Sequence, residues 1–250
     1  MVLDGQDRWR LNNALPISSQ IYALLRDRIV RNEFAPGERI SEAEIAKLCE
    51  VSRQPVREAF IKLAGENLLE IRPQRGTIIT KIAYTAVLDA RFLREAIEAD
   101  IVSILASRSD TALVRELRDQ VSRQRELGQS RSAEFIQLDE HFHHTLAQEA
   151  GKGGAWKLLE GLKSQMDRVR FLSLSQFPIG RLVAQHSALV DRIERGDVSG
   201  ANAAIRTHLR EVLTDLPSIL AANPQFFDLP DGTVLQPANA PIQGGIDHEH

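Results

Sequence analysis

Asp139 and His143 form an Asp-x-x-x-His pair inside a pattern that predicts a helix over residues 131–151. At about 100° per residue, both side chains fall within the arc of that helix that its apolar residues occupy. Two further histidines, His186 and His208, lie on the apolar stripes of two later predicted helices. Imidazole and carboxylate groups bind divalent ions, and a buried polar side chain needs a partner. The four residues therefore predict one metal site in the helical part of the chain.

The chemical types of the four candidate ligands limit which ions could bind and which function they could support. A single histidine on an apolar face is more often a hydrogen-bonded core residue than a ligand, so the prediction depends on all four together. Three imidazoles and one carboxylate suit zinc, while nickel, manganese and iron accept the same donors. A metal-dependent hydrolase is the alternative function, and it needs a general base beside the metal-bound water. Glu140 points off the ligand face and no His-Glu-x-x-His motif occurs, so we expect no enzyme.

Arg94 lies among apolar residues on the first long helix after residue 83. An arginine that points inward requires an anion. The partner is either Glu98, one helical turn later, or the carboxylate of a bound ligand. The second alternative suits a small organic acid that shares its oxygens between the guanidinium and the metal.

A second group of polar residues lies near the start of the chain. Arg53 and Arg57 are four residues apart at the start of a predicted helix for which Ser52 is the N-cap candidate, and they share a face that avoids the apolar one. An arginine at the N-terminal end of a recognition helix can bond both acceptors of guanine in the major groove. The alternative is a solvated helix start with Arg57 paired to Glu58.

The elements that position these residues differ between the two parts of the chain. The sequence pattern of residues 1–82 predicts three helices and a two-stranded hairpin around Pro73 and Gly76. Together these elements form a winged helix-turn-helix. We predict six further helices, over about residues 85–108, 111–128, 131–151, 154–175, 179–195 and 197–221. Their short connections favour an all-α antiparallel bundle over residues 83–222, so the fold class is mainly α. Residues 223–250 predict a flexible tail.

Composition limits the function classes. The net charge is −3, but residues 1–81 hold 13 Lys and Arg against 11 Asp and Glu, so the basic excess lies in the predicted DNA-binding part. The single cysteine, Cys49, allows no internal disulfide and fits a reducing compartment. No apolar run resembles a signal peptide or a membrane span, so we expect a cytoplasmic protein without membrane contact.

Residues 18–82 resemble the DNA-binding domain of the GntR family of bacterial regulators. The resemblance is carried by the run Val51-Ser-Arg-Gln-Pro-Val-Arg-Glu-Ala59, with Pro36-Gly37 before it and Arg75-Gly76 after it. It implies that double-stranded operator DNA meets the second helix of the motif in the major groove and the wing tip at the minor groove or backbone. The implied contact residues are Ser52, Arg53, Gln54, Arg57, Arg75 and Gly76.

Residues 85–221 resemble the ligand-binding domain of the FadR subfamily, the FCD type, and six helices point to its VanR branch. The run Asp139-x-x-Phe142-His143, then His186 and His208, follows that pattern in order. The resemblance implies that Arg94 helps to hold the carboxylate of a small effector acid. It also implies a homodimeric, ligand-responsive transcription regulator, most often a repressor.

Overall fold

The computed structural model describes residues 9–12, 14–108, 110–127, 131–173, 179–211 and 214–230. Its N-terminal head contains the elements α1 (Ile17–Val30), β1 (Arg39–Ile40), α2 (Glu42–Leu48), α3 (Arg53–Gly65), β2 (Leu69–Arg72) and β3 (Gly76–Ile79). The three strands form an antiparallel sheet in the order β1-β3-β2. The predicted winged helix-turn-helix is confirmed, with one strand more than the predicted hairpin. Two residues are too few for β1 to show an alternating pattern in the sequence.

Local signals in the sequence explain how α2, α3 and the wing begin and turn. Ser41 caps α2 by accepting a hydrogen bond from the amide of Ala43 at 3.2 Å. Ser52 occupies the same position before α3, but its side chain makes no capping hydrogen bond to the described residues and is exposed. Ser52 is therefore the N-cap residue of α3, as predicted, but without the side-chain hydrogen bond that such a cap usually makes. In the wing, Gly76 has φ +88°, a conformation that favours glycine.

The C-terminal part is built from eight helices within the described residues. They are α4 (Tyr84–Ala106), α5 (Thr111–Glu126), α6 (Ser132–Glu149), α7 (Gly153–Leu162), α8 (Ser164–Leu172), α9 (Ile179–Glu194), α10 (Val198–Glu211) and α11 (Leu216–Ala222). Two predicted helices were therefore too long: 154–175 is divided into α7 and α8 at Lys163, and 197–221 into α10 and α11. Pro217, in the first turn of α11, explains the second division, because proline interrupts a continuous helix. No proline marks the division between α7 and α8, and the apolar periodicity continues through it, so the sequence predicts one helix there.

The described hydrophobic residues form three clusters. One fills the head, and a second lies between α4, α5, α6, α7, α9 and α10. The third lies at the junction and contains Ile82, Met166 and Phe227. There, β4 (Ile82–Ala83) pairs in parallel with β5 (Phe227–Asp228), which follows a short 3-10 helix at Pro224–Phe226. The prediction of a loose tail from residue 223 is thus wrong up to residue 230, because Phe227 is buried, and residues 231–250 lie outside the described part. The domain boundary after residue 82 stays a prediction.

The head contacts the helical part mainly through α8. Asn32 Nδ2 donates to the Arg168 carbonyl at 2.9 Å, and Gln165 Nε2 donates to the Asn67 carbonyl at 3.0 Å. Arg168 is fully buried, and its guanidinium lies 3.4 Å from Asn32 Oδ1 and 3.5 Å from Gln165 Oε1. None of the described carboxylates forms an ion pair with it, and burial lowers the pKa of Arg168 to about 10. Polar side chains that meet backbone carbonyls therefore make up much of this contact.

Candidate metal centre

The structure brings Asp139, His143, His186 and His208 together in the helical core. Asp139 and His143 project from α6, His186 from α9 and His208 from α10, and none is more than 2% exposed. Each offers one ligand atom, and the four atoms lie within 4.8 Å of one another. The i, i+4 spacing on α6 and the apolar faces of α9 and α10 account for this convergence.

Three imidazole nitrogens meet at the centre of the cluster. His208 Nε2 lies 3.1 Å from His143 Nε2 and 3.2 Å from His186 Nε2. Asp139 Oδ1 lies 3.5 Å from His186 Nε2 and 3.9 Å from His143 Nε2. Ligands of one ion with bonds of about 2.0–2.1 Å lie roughly 3 to 3.5 Å apart, so these spacings are close to those of a first coordination shell.

The other ring nitrogen of each histidine faces an oxygen acceptor. His143 Nδ1 lies 2.6 Å from Glu98 Oε2, His186 Nδ1 lies 2.7 Å from Gln124 Oε1, and His208 Nδ1 lies 3.0 Å from Gln185 Oε1. Gln124 Nε2 donates to the Leu138 carbonyl, which directs its oxygen towards His186. Hydrogen bonds to the two glutamine oxygens favour the ring proton on Nδ1 of His186 and His208, and the short distance to the Glu98 carboxylate favours the same form of His143, although that contact lacks hydrogen-bond geometry. In these forms the three Nε2 atoms present lone pairs to one another. Facing lone pairs repel, and a cation between them removes the repulsion, so these residues fit a metal ion.

Electrostatics keeps Asp139, His186 and His208 in their metal-binding forms. Burial lowers the pKa of His186 to about 3 and holds the pKa of His208 well below its usual value, so both rings are neutral near pH 7. Burial acts to raise the pKa of Asp139, but the charge of Arg170 is the largest of those that oppose it, and that pKa lies far below its usual value. Neutral imidazoles and an ionised carboxylate are the forms that bind divalent ions.

Arg94 pairs with Glu98, the internal partner that the sequence left open. Arg94 Nε donates to Glu98 Oε1 at 2.6 Å, and Glu98 Oε2 in turn faces His143. Burial acts to raise the pKa of Glu98, but Arg94 and His143 lower it to about 2. Arg94 Nη2 is buried without a hydrogen-bond partner among the described residues. The guanidinium is therefore only partly satisfied by Glu98.

The predicted DNA-contacting residues are all exposed on the head. Arg53 and Arg57 are exposed on the first two turns of α3, and neither forms an ion pair with a described acid. Glu58, the alternative partner of Arg57, accepts a hydrogen bond from Gln54 at 3.2 Å instead. Arg75 and Gly76 are exposed at the turn between β2 and β3. The start of α3 and the wing tip are thus both open to a large partner.

Comparison with known proteins identifies the family. Residues 17–79 match the model for bacterial regulatory proteins of the gntR family, and residues 89–211 match the FCD domain. A helix-turn-helix transcriptional regulator of Streptomyces ambofaciens is 40% identical over 86% of this chain and 91% of its own length. The transcriptional repressor RspR of Escherichia coli is 36% identical over 87% of this chain and 96% of its own. The chain belongs to the GntR family.

Solved structures agree with this GntR fold. Escherichia coli McbR/YncC has a TM-score of 0.69 at 14% identity, covering 83% of this chain and 99% of that one. A GntR transcriptional regulator from Rhodococcus has a TM-score of 0.66 at 23% identity, and the match covers 82% of this chain and 98% of that one. This GntR protein is therefore a DNA-binding transcription regulator, and the hydrolase alternative is not supported. Among the described residues, none of the helices combines the length and the hydrophobicity that a membrane span requires.

Several partners of the cluster were missed in the sequence of this GntR protein. Gln124 lies on the buried face of α5 with Leu117 and Val121, so its inward position could have been found from the helical wheel. Arg170 also lies inside, 2.6 Å from Asp139 Oδ2, but α8 is short and buried on several sides. Such a helix has no polar face against which an inward arginine stands out.

The buried histidines of this GntR protein predict a loss of stability in mild acid. In the metal-free protein, the pKa of His186 is about 3 when folded, against an ordinary value of 6.5 for an exposed histidine, so the unfolded chain binds more protons below pH 6.5. We expect the free energy of unfolding to fall by about 2 kcal/mol from pH 7 to pH 5 through this residue alone. Urea denaturation of chelator-treated protein at pH 7, 6 and 5 measures the change. A flat or rising profile would contradict the neutral, buried state of His186.

Proposed function

We propose that this protein is a ligand-responsive transcriptional repressor of the GntR family that senses a small organic acid at a divalent-metal centre. The observation that carries the proposal is the meeting of three imidazole Nε2 atoms and Asp139 Oδ1 in the core. Zinc is our first choice of ion, and nickel, manganese and iron are the alternatives. We place the protein in the cytoplasm, where operator DNA and metabolites are both available.

The DNA half of the proposal rests on the exposed head. Arg53 and Arg57 lie at the N-terminal end of α3, the end that contacts base edges in helix-turn-helix proteins. Neither arginine forms an ion pair with a carboxylate of the described residues. Arg75 and Gly76 bring the wing to the minor groove or backbone. The remaining proposed contacts from this surface are Ser52 and Gln54. Because one head covers only a half-site, we propose a homodimer that places two heads on a two-fold operator.

The sensing half of the proposal rests on Arg94. One nitrogen of its guanidinium binds Glu98, while Nη2 has no hydrogen-bond partner within the described residues. Arg94 is also close enough for its charge to contribute to the low pKa of His208. A carboxylate that places one oxygen on the metal and another on Arg94 would satisfy both groups. We therefore propose an organic acid as the effector.

The sign of regulation follows the names of the relatives. RspR is described as a transcriptional repressor. A relative from Paenarthrobacter nicotinovorans, 26% identical, is described as a probable repressor of a D-xylose utilization operon. A response to the effector requires that the effector favour one arrangement of the heads over another, since a ligand with equal affinity for both shifts nothing.

Removal of the metal is expected to lower the midpoint of thermal unfolding, and added Zn²⁺ to restore it. An ion that binds only the folded state at 100 times its Kd adds about 2.7 kcal/mol, which corresponds to roughly 5–10 °C for a chain of this size. Scanning fluorimetry of chelated protein titrated with Zn²⁺, Ni²⁺, Mn²⁺ or Fe²⁺ measures this shift.

The same assay separates the sensor from a metal-free scaffold. A midpoint that is insensitive to the chelator and to all four ions would refute the metal centre. Organic acids added to the metal-loaded protein then test the effector, and their effect on an operator complex tests the coupling. Arg94→Lys keeps the charge beside Glu98 but loses the planar fork, so it should lose the response to acids while keeping the response to Zn²⁺.

A further inference from the structure

The two oxygens of Asp139 have different surroundings. Oδ2 accepts a hydrogen bond from Arg170 Nη2 at 2.6 Å. Oδ1 has no hydrogen-bond partner in the part of the chain that the structure describes, and it faces the Nε2 atoms of His186 and His143. One oxygen is thus directed at the histidine cluster and the other is held by an arginine.

Arg170 is buried beside a second carboxylate. It projects from α8 with 1% of its side chain exposed, whereas Asp139 belongs to α6. Its Nη1 lies 3.8 Å from Asp167 Oδ1, one turn earlier on α8, and Lys163 contacts the other oxygen of Asp167. To release Asp139 Oδ2, the guanidinium would have to give up a buried charge-assisted hydrogen bond without water to replace it.

This arrangement limits how a carboxylate can bind an ion. A free aspartate can bind with one oxygen or with both, and a second oxygen favours ions such as Mn²⁺ that prefer oxygen ligands. With Oδ2 held by Arg170, the protein supplies three nitrogens and one oxygen, a set that suits Zn²⁺. The remaining coordination positions then stay available to water or to an acid.

We propose that Arg170 is a positioning residue that restricts Asp139 to one metal-binding oxygen and so favours zinc over oxygen-preferring ions. The inference rests on the proposed metal centre and extends it to a residue that does not touch the metal. Loss of the arginine also changes the local charge, but that change acts equally on two divalent ions. A change in charge or a general loosening of the site affects both dissociation constants alike. The ratio of the two constants therefore reports on the second oxygen alone.

The test compares Zn²⁺ and Mn²⁺ binding in wild-type protein, Arg170→Met and Arg170→Lys. Zn²⁺ affinity is measured by competition with a chromophoric chelator, and free Mn²⁺ by its electron paramagnetic resonance signal. We expect the ratio Kd(Mn)/Kd(Zn) to fall about tenfold or more in Arg170→Met, on the scale of other outer-shell effects. Arg170→Lys, which still donates to Oδ2, should restore the wild-type ratio. Arg168→Met is the matched control, because Arg168 is equally buried on α8 but faces the head.

The outcomes separate the two proposals. An unchanged ratio in a folded Arg170→Met overturns the role of Arg170 and leaves the metal centre intact, whereas a wild-type protein that binds neither ion refutes both. A crystal structure of the Zn²⁺-loaded wild-type protein gives an answer that does not depend on a variant folding. There we expect only Oδ1 of Asp139 at a zinc bonding distance, about 2.0–2.2 Å, with Oδ2 still on Arg170. Both oxygens on the ion would overturn the inference.

Discussion

Replacing Arg57 with alanine is expected to weaken specific operator binding strongly, and Arg53→Ala to do the same. A bidentate arginine–guanine contact contributes about 1–3 kcal/mol, and a dimer loses it twice, so the affinity should fall roughly 30-fold or more. Both side chains are exposed at the start of α3, so neither substitution should disturb the core. Electrophoretic mobility shifts on an operator selected from random DNA measure the loss.

The control for this prediction is Arg115→Ala. Arg115 is exposed on α5, in the helical part of the chain, so the variant loses the same charge away from the proposed DNA surface. It should bind the operator within about twofold of wild type, a difference typical of surface substitutions within 0.5 kcal/mol. If both α3 variants keep wild-type affinity while folded, the assignment of α3 as the reading helix is wrong.

Replacing His208 with glutamine is expected to lower the affinity for Zn²⁺ by more than about 100-fold. Changes to the outer partners of a metal ligand already cost about 10–100-fold, and this change removes one of four donors. His208 is central to the cluster, since its Nε2 lies within 3.2 Å of both other Nε2 atoms. Competition with a chelator of known affinity gives the constant for each variant.

His141→Gln is the matched control for the metal site. His141 is on α6, two residues before His143, but it is exposed on the opposite side of the helix. Its loss should leave Zn²⁺ affinity unchanged and should leave the effect of Zn²⁺ on thermal unfolding intact. Equal Zn²⁺ affinity in His208→Gln and wild type would mean that the ion binds elsewhere or that the histidines form a polar core.

The convergence of the four candidate ligands could be predicted because each lies on an apolar helical face. A buried polar residue interrupts the periodicity of such a face, and that interruption is visible in one sequence. Which atoms meet could not be predicted. The pairing of His143 with Glu98, and of His186 with Gln124, depends on how α4, α5, α6 and α9 pack, and that packing is not encoded in the spacing along any one helix.

The errors in the predicted elements have physical causes as well. Lys163 separates α7 from α8 although it is neither proline nor glycine, and it is buried because Glu140 and Asp167 neutralise its ammonium group. From the sequence alone, a lysine at such a position is predicted to be exposed to solvent. The segment after residue 223 looked loose because its composition is polar, yet the burial of Phe227 is enough to form a strand beside β4.

Arg168 has a consequence for the mechanics of the whole molecule. A guanidinium that is buried at the junction without a carboxylate raises the free energy of the assembled state, since separation of the head from α8 would return the charge to water. The carbonyls of Arg168 and Asn67 could also exchange their amide donors for water at little net cost. The polar contacts between the head and α8 therefore add little to the stability of the junction, which depends more on its apolar cluster around Ile82, Met166 and Phe227. A change in the angle of the reading head would therefore have to keep this apolar cluster packed while water takes over the polar contacts.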